Sequence, residues 1–217
     1  GERFTCPAQA WTLEQIAETG GAAFYQGELA ERMAIDAAAH GGQLRVDDLA
    51  THQCDWVGTA SQEYGEYTLH EIPPNGQGLA ALIALGIMQH KNISSHPVDS
   101  AASLHLQIEA VKLALADAYR YIADPDTMDV AVEQLLDPAY LAARADEIDL
   151  NAAADPGHGA PNKGGTVYLT AADANGMMVS FIQSNYMGFG SGIVVPKTGI
   201  SMQNRGAGFV LDEGHPN

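Results

Sequence analysis

The sequence predicts an α+β fold, and three observations carry that prediction. Across residues 101–122, Leu104, Ile108, Val111, Leu115 and Tyr119 recur at spacings of three and four, the period of a helix that buries one stripe. Further on, Val167, Leu169 and Ala171 alternate up to Ala172-Asp173-Ala174-Asn175-Gly176, and a second apolar run follows from Met178 to Ile182. Asn-Gly between two apolar runs signals a hairpin, because both residues tolerate positive φ. Finally, Trp56, Val57, Tyr64, Tyr67 and Leu69 mark two more strands around a turn between Trp56 and Ile72. Residues 1–150 are mostly helical in pattern and residues 166–217 are strand and turn. Between them 151–165 is Ala, Asp, Pro, Gly, His and Asn with no apolar period, and reads as a linker.

Taken in order, Thr12-Leu13-Glu14-Gln15 fits a capping box that opens a short helix, which Gly20-Gly21 ends. A second helix is expected from about Ala22 to Ala39, with Phe24, Leu29, Met33 and Ile35 on one broad face and Gly41-Gly42 as its stop. Asp47-Asp48-Leu49 caps a further turn, and its acids read as helix starters rather than catalysts. Pro73-Pro74-Asn75-Gly76 breaks the strand pair, after which Leu79 to His90 forms an apolar helix. Ser100 caps the longest helix, Ala101 to Ile122, on which Glu109 and Lys112 read as a surface pair. Asp124-Pro125 closes it. Two shorter helices are expected near Val130–Leu136 and Pro138–Ile148, the second with proline in its first turn.

The bulk properties exclude several function classes. A chain of 217 residues, 46% hydrophobic and 17% charged, can bury one ordinary core. Its 27 acidic residues against 10 Lys and Arg give a formal net charge of −17, which argues against nucleic acid and anionic membrane surfaces as partners. No apolar run reaches the ~18–20 residues of a membrane span. Cys6 and Cys54 are too few for a disulfide framework and read as free thiols. The eight histidines include no pair four apart on a helix, and no Cys-x-x-Cys occurs, so neither a metal nor another cofactor is expected. Gly76-Gln77-Gly78 lacks the flanking pattern of a phosphate loop, and Asn92-Ile93-Ser94 is too short a match to carry glycosylation. The chain opens at Gly1 with no Met and no charged-then-apolar leader, so no targeting signal is read.

The candidate for chemistry is Thr166, at the end of the linker and the head of the first hairpin strand. A β-branched residue suits a strand without any further role. The sharper reading is chemical. A Thr hydroxyl becomes a nucleophile when a base takes its proton, and a free α-amine on the same residue, with a pKa near ~7.7–8.0, can be that base. This requires cutting the chain before Thr166. Gly164 and Gly165 leave the carbonyl to be attacked sterically open, and the linker gives slack for the new terminus to separate.

These residues resemble the processing site of γ-glutamyltransferases. The resemblance rests on Gly165-Thr166, the hairpin with Asn175-Gly176, Phe189-Gly190-Ser191-Gly192, Pro196-Lys197-Thr198-Gly199-Ile200 and Gln203-Asn204. Upstream, Asp47-Asp48-Leu49 and Pro73-Pro74-Asn75-Gly76-Gln77-Gly78 are similar to further elements of the family. Glu109-Ala110-x-Lys112 with Ala123-Asp124-Pro125-Asp126 is similar to the end of its large subunit. The resemblance implies autocatalytic cleavage between Gly165 and Thr166, then acyl transfer or hydrolysis through an acyl-Thr intermediate. It implies part of an N-terminal nucleophile hydrolase αββα sandwich. Residues 1–150 would be the C-terminal part of the large-subunit region, 151–165 the pre-cleavage linker, and 166–217 the N-terminal part of the small-subunit region. The implied partners are a γ-glutamyl or related acyl amide, a water or amine acceptor, and the remaining parts of its own two subunits. The family's arginine for the substrate carboxylate and its oxyanion Gly-Gly pair would lie outside this stretch, so the chain alone is expected to be inactive.

The sequence departs from the family pattern where substrate is recognised. Val167 and Tyr168 follow the nucleophile in place of Thr or Ala and His. Ser184 keeps a second hydroxyl residue near it, whereas Tyr186 replaces the Asn or Glu that helps hold the α-amino end. The Asp that pairs with the γ-glutamyl α-ammonium is here Gly208, and Arg205 stands three residues before it. A buried ammonium without a carboxylate is costly. Arg205 reads equally as a solvated arginine or as a cation in the acyl pocket, where it would favour an anionic, glutaryl-type group through a bidentate contact. Three readings therefore stand: an amidohydrolase with modified acyl specificity, an ordinary γ-glutamyltransferase acting on glutathione, and a non-catalytic, uncleaved relative.

Overall fold

The computed structural model of the chain describes residues 1–156 and 166–217, with the backbone alone at Thr166. In chain order the helices are α1 (Pro7–Glu18), α2 (Ala22–Tyr25), α3 (Glu28–Ala39), α4 (Val46–Ala50), α5 (Gly78–His90), α6 (Ala101–Tyr121), α7 (Val132–Leu135) and α8 (Pro138–Asp146). The strands are β1 (Ala60–Tyr64), β2 (Tyr67–Glu71), β3 (Thr166–Ala172) and β4 (Met178–Ser184). Each strand pairs antiparallel with its sequence neighbour, β1 with β2 and β3 with β4, so the α+β class stands. The chain divides into two compact units, Gly1–Asp55 with Asn162–Ala207 and Trp56–Pro161 with Gly208–Asn217, so each draws on both sides of the linker.

In the first unit α1 begins earlier than its apparent capping box. Pro7 occupies its first turn, where a missing N–H costs nothing, and Thr12 sits inside the helix with its side chain buried. The Thr12 hydroxyl donates to the Thr198 carbonyl at 2.8 Å. Thr198 is itself fully buried, donates to the Val195 carbonyl at 2.9 Å and accepts from the Ile200 N–H at 3.0 Å. Thus Pro196-Lys197-Thr198-Gly199-Ile200 is a closed turn seated on α1. Gly199, at φ +70°, lies so close that a Cβ there would stand 3.0 Å from the Gln9 backbone nitrogen. The expected single helix from Ala22 to Ala39 is broken at Gly27, whose φ of +104° and ψ of −152° only glycine adopts readily. In α3, Leu29 and Met33 are buried, but Ile35 points outward and is exposed.

In the second unit α5 is apolar all round and buried: Leu79, Leu82, Ile83 and Ile87 are inaccessible to solvent. Each such side chain contributes about 1.5–3 kcal/mol relative to exposure. The helix packs against α6, α8 and the β1–β2 hairpin. Gly78, the last residue of Gly76-Gln77-Gly78, has a packing role: a Cβ there would fall 2.6 Å from a Glu71 carboxylate oxygen. Ser100 caps α6 as expected, its Oγ accepting from the Ser103 N–H at 3.2 Å. The stripe read as core faces it only at its far end, where Leu115 packs against the core. Leu104, Ile108 and Val111 are exposed, and the buried face is Leu106, Ala110, Leu113, Ala114 and Ala118. Both stripes have the helical period; the buried one is rich in alanine because α5 approaches closely there. Glu109 also departs from its surface reading, being only 2% exposed. Arg144 on α8 ties that helix to α6 through Asp117 at 2.9 Å and the Leu113 carbonyl at 3.2 Å.

Candidate active site

Thr166 is the first residue of β3, and its Cα partner across the sheet is Ser184, the last residue of β4. The register then runs Val167 with Gln183 and Tyr168 with Ile182, to Ala172 with Met178. The hairpin turn uses its residues differently from the Asn-Gly expectation. Asp173 Oδ1 accepts the N–H groups of Asn175 and Met177, both at 2.9 Å, and only Gly176 takes positive φ, at +84°. Those backbone donors hold the Asp173 carboxyl below its usual range. Gly165 lies outside the described residues, as does the Thr166 side chain.

At the far end of β4 the chain turns sharply, with Tyr186 at φ +78°, a sparsely populated conformation for a bulky side chain. The Ser184 Oγ accepts the Tyr186 N–H at 2.9 Å and closes this turn. Asn204 then braces it from the next segment. Its N–H donates to the Asn185 carbonyl at 3.2 Å, and its Oδ1 accepts the Met187 N–H at 3.0 Å. The adjoining Phe189-Gly190-Ser191-Gly192 loop is laced to Met202, whose carbonyl accepts from both the Ser191 N–H and the Ser191 Oγ. Gly190 makes that approach possible, since a Cβ would lie 2.5 Å from the Met202 carbonyl oxygen. The braced turn carries Arg205 over the Tyr186 ring, with the guanidinium carbon 5.2 Å from the centroid. This spacing is that of a cation–π contact.

Four of the five candidate residues thus fall within one unit and one neighbourhood: Thr166 by register opposite Ser184, Ser184 bonded to Tyr186, and Tyr186 under Arg205. Arg205 is exposed, and among the described residues no carboxylate lies within ion-pair distance of its guanidinium. Gly208 ends the same 3-10 turn, Arg205–Gly208, and a Cβ there would meet nothing within 4 Å. The brace by Asn204 was present in the sequence only as part of Gln203-Asn204; nothing in the pattern announced its two bonds. Among the described residues no group of three or more His, Cys, Asp or Glu side chains is arranged to hold a metal ion. Among the described residues no helix is long and apolar enough to cross a membrane. A shallow concavity of about 490 Å³, lined by Tyr121, Leu135 and Tyr140 among others, belongs to the second unit and contains none of these residues.

Thr166 thus heads a strand, pairs by register with Ser184 and is followed along the chain by the glycine-rich Phe189-Gly190-Ser191-Gly192 loop. The chain belongs to the gamma-glutamyltranspeptidase family, whose model matches residues 1–217. It is 43% identical over 215 residues to the oxamate amidohydrolase proenzyme of Klebsiella pneumoniae, covering 99% of this chain and 40% of that protein. It is 37% identical over 217 residues to the glutathione hydrolase-like YwrD proenzyme of Bacillus subtilis, covering 100% of this chain and 41% of that protein. Among solved structures, a cephalosporin acylase from Bacillus halodurans superposes with a TM-score of 0.88 at 49% identity, over 100% of this chain and 39% of that one. The chain therefore spans about two fifths of the length of these relatives.

Proposed function

We propose that this chain carries the processing junction and part of the acyl site of an autoprocessing amidohydrolase or acyltransferase with Thr166 as nucleophile. The observation that carries the reading is the position of Thr166, first in β3 and opposite Ser184. In the maturation step Thr166 Oγ attacks the Gly165 carbonyl carbon, the peptide C–N bond breaks, and the Thr166 nitrogen leaves as an amine. Water then hydrolyses the resulting ester, returning the hydroxyl to Thr166 and a carboxylate to Gly165. The freed α-amine next takes the Oγ proton as Oγ attacks a substrate amide and passes it to the departing amine as the amide C–N bond breaks; the acyl-Thr ester then passes to water or an amine acceptor. Cofactors have no part in this sequence of steps. Relatives named as amidohydrolase and hydrolase proenzymes support the reaction class.

The acyl group we propose is one bearing a carboxylate, of glutaryl type, rather than a γ-glutamyl group. Arg205 offers a guanidinium with no carboxylate partner among the described residues, and Gly208 offers none to an α-ammonium. Oxamate, named for one relative, likewise carries a carboxylate and no ammonium. An ordinary γ-glutamyltransferase acting on glutathione is the second reading, favoured by the name of the YwrD relative. The deciding experiment uses the full-length protein. Thr166→Ala is expected to give a single uncut chain without amidase activity, and Thr166→Ser a chain that cuts more slowly. Normal processing and turnover in the Ala variant would end the hypothesis. A wild-type protein that stays a single chain on a denaturing gel and by intact mass would point to a non-catalytic relative.

A further inference from the structure

The sequence holds two Asn-Gly pairs, Asn75-Gly76 and Asn175-Gly176, and the structure treats them differently. Asn175-Gly176 lies in the β3–β4 turn, where Asp173 closes a clasp around it. Asp173 Oδ1 accepts the Asn175 and Met177 N–H groups, both at 2.9 Å. The Asp173 carbonyl accepts the Gly176 N–H at 3.2 Å, and the Asp173 N–H donates to the Met177 carbonyl at 3.0 Å. Asn75-Gly76 lies in the turn between β2 and α5 and has no such support. The Asn75 side chain is exposed, and among the described residues neither it nor the Gly76 N–H makes a hydrogen bond of normal geometry. Pro73 and Pro74, which precede the pair, bring no N–H to this turn. The steps proposed at Thr166 make no use of the segment.

We propose that Asn75 is a site of spontaneous covalent modification, at which its side-chain amide is converted to a carboxylate through a cyclic imide. The Gly76 nitrogen gives up its proton and attacks Asn75 Cγ. The Cγ–Nδ2 bond breaks, and the amide nitrogen leaves as ammonia carrying that proton. Water, the only co-reactant, then opens the imide at one of its two carbonyls. Opening at the side-chain carbonyl leaves aspartate in an ordinary backbone; opening at the main-chain carbonyl leaves isoaspartate, with the chain running through Cγ. Glycine permits the attack because no side chain shields its nitrogen. Ring closure also needs rotation about the asparagine Cα–C bond, which swings the next nitrogen toward Cγ. At Asn175 that rotation breaks the Gly176 and Met177 bonds to Asp173, and the adjacent carboxylate opposes loss of a proton there. At Asn75 neither restraint exists. The aspartate product places a negative charge just ahead of Gly78, the first residue of α5, at the end of a helix that favours one.

The test follows the full-length protein through prolonged incubation at mildly alkaline pH, folded and in urea, by peptide mapping. The peptides holding Asn75 and Asn175 are read for conversion of amide to acid and for isoaspartate. In urea, where neither turn survives, the two pairs are expected to convert at similar rates. In the folded protein Asn75 is expected to keep most of that rate, while Asn175 is slowed roughly ten-fold or more, the worth of two ordinary hydrogen bonds. Asp173→Ala, at an exposed hairpin tip, should bring Asn175 up toward the rate of Asn75 and leave Asn75 unchanged. Gly76→Ala, whose Cβ would meet only Ile72, at 3.5 Å, should slow Asn75 and leave Asn175 as it was. Folding that protects Asn75 as much as Asn175, or more, overturns the proposal, and that comparison needs no variant. An Asn175 that stays slow after Asp173→Ala overturns it as well.

Discussion

The guanidinium of Arg205 lies 5.2 Å from the centre of the Tyr186 ring, so two residues proposed for the acyl site are in contact with each other. On the proposed reading, the Tyr186 ring orients the cation that an acyl carboxylate would meet. A guanidinium stacked on an aromatic face keeps its hydrogen-bonding edge available for a carboxylate. In the full-length protein Arg205→Gln is expected to lower kcat/KM for glutaryl amides roughly ten- to a hundred-fold, the worth of a charged hydrogen bond of ~1.5–3 kcal/mol. Self-cleavage should be untouched. Gly208→Asp, at a position with open space for a side chain, should move preference toward γ-glutamyl amides. Strong γ-glutamyl preference that ignores both substitutions would instead favour the ordinary transferase.

A second prediction concerns the turn that sits on α1. The Thr12 hydroxyl donates to the Thr198 carbonyl from a buried position, and valine has nearly the same shape without the donor. Thr12→Val should leave a buried carbonyl short of a partner and cost about 1–3 kcal/mol, whereas Thr12→Ser should lose much less. Urea unfolding of the two variants decides it. Equal stabilities would mean that shape, not the hydrogen bond, holds the turn.

What was legible in the sequence follows from how local each signal is. The β3–β4 hairpin, the Ser100 cap and the Pro138 helix start are set by neighbours in the chain, and all three are in the structure. The family resemblance singles out Thr166, Ser184, Tyr186 and Arg205 as candidates from the sequence alone. The contact between Tyr186 and Arg205 was not legible, because it depends on Asn204 bonding across to residues 185 and 187. The face of α6 was misread for a related reason. Period alone cannot say which of two helical stripes meets a neighbour, and α5 selected the alanine-rich one. Thr12 and Glu109 were read as a cap and a surface charge because their partners, Thr198 and Ala154, lie far along the chain.

The closeness of α5 and α8 yields a third prediction. A Cβ on Gly86 would stand 2.5 Å from Leu141 Cδ1 and 3.2 Å from Cδ2, and Leu141 is only 1% exposed. Gly86→Ala should therefore destabilise by about 1–3 kcal/mol through overpacking, although alanine is the better helix former. Leu141→Ala alone should also destabilise, by opening a cavity. Together the two changes should cost less than the sum of the single effects, since each relieves the other. Additive costs in a denaturant double-mutant cycle would show that the two positions do not oppose one another.

The last prediction is the pH dependence that Glu109 imposes. Burial works against its charge. The Lys112 ammonium, the Ala154 N–H and the nearby His105 outweigh that penalty and hold its carboxyl below the usual value. An unfolded glutamate has a pKa of about 4.3, so below that pH the unfolded chain takes up the proton before the folded one does. The stability contributed by Glu109 is then complete above the unfolded pKa and is lost as pH falls through the lower folded value. Asp117 works in the opposite sense: burial lifts its carboxyl despite Arg144, so protonation there favours the folded state. The raw stability curve mixes the two, and the informative quantity is the difference between wild type and Glu109→Gln. That difference should be constant well above pH ~5 and shrink as the pH drops below about 4.3. A difference that stays flat, or grows toward acid, would mean that the folded chain does not hold Glu109 ionised against Lys112 and Ala154.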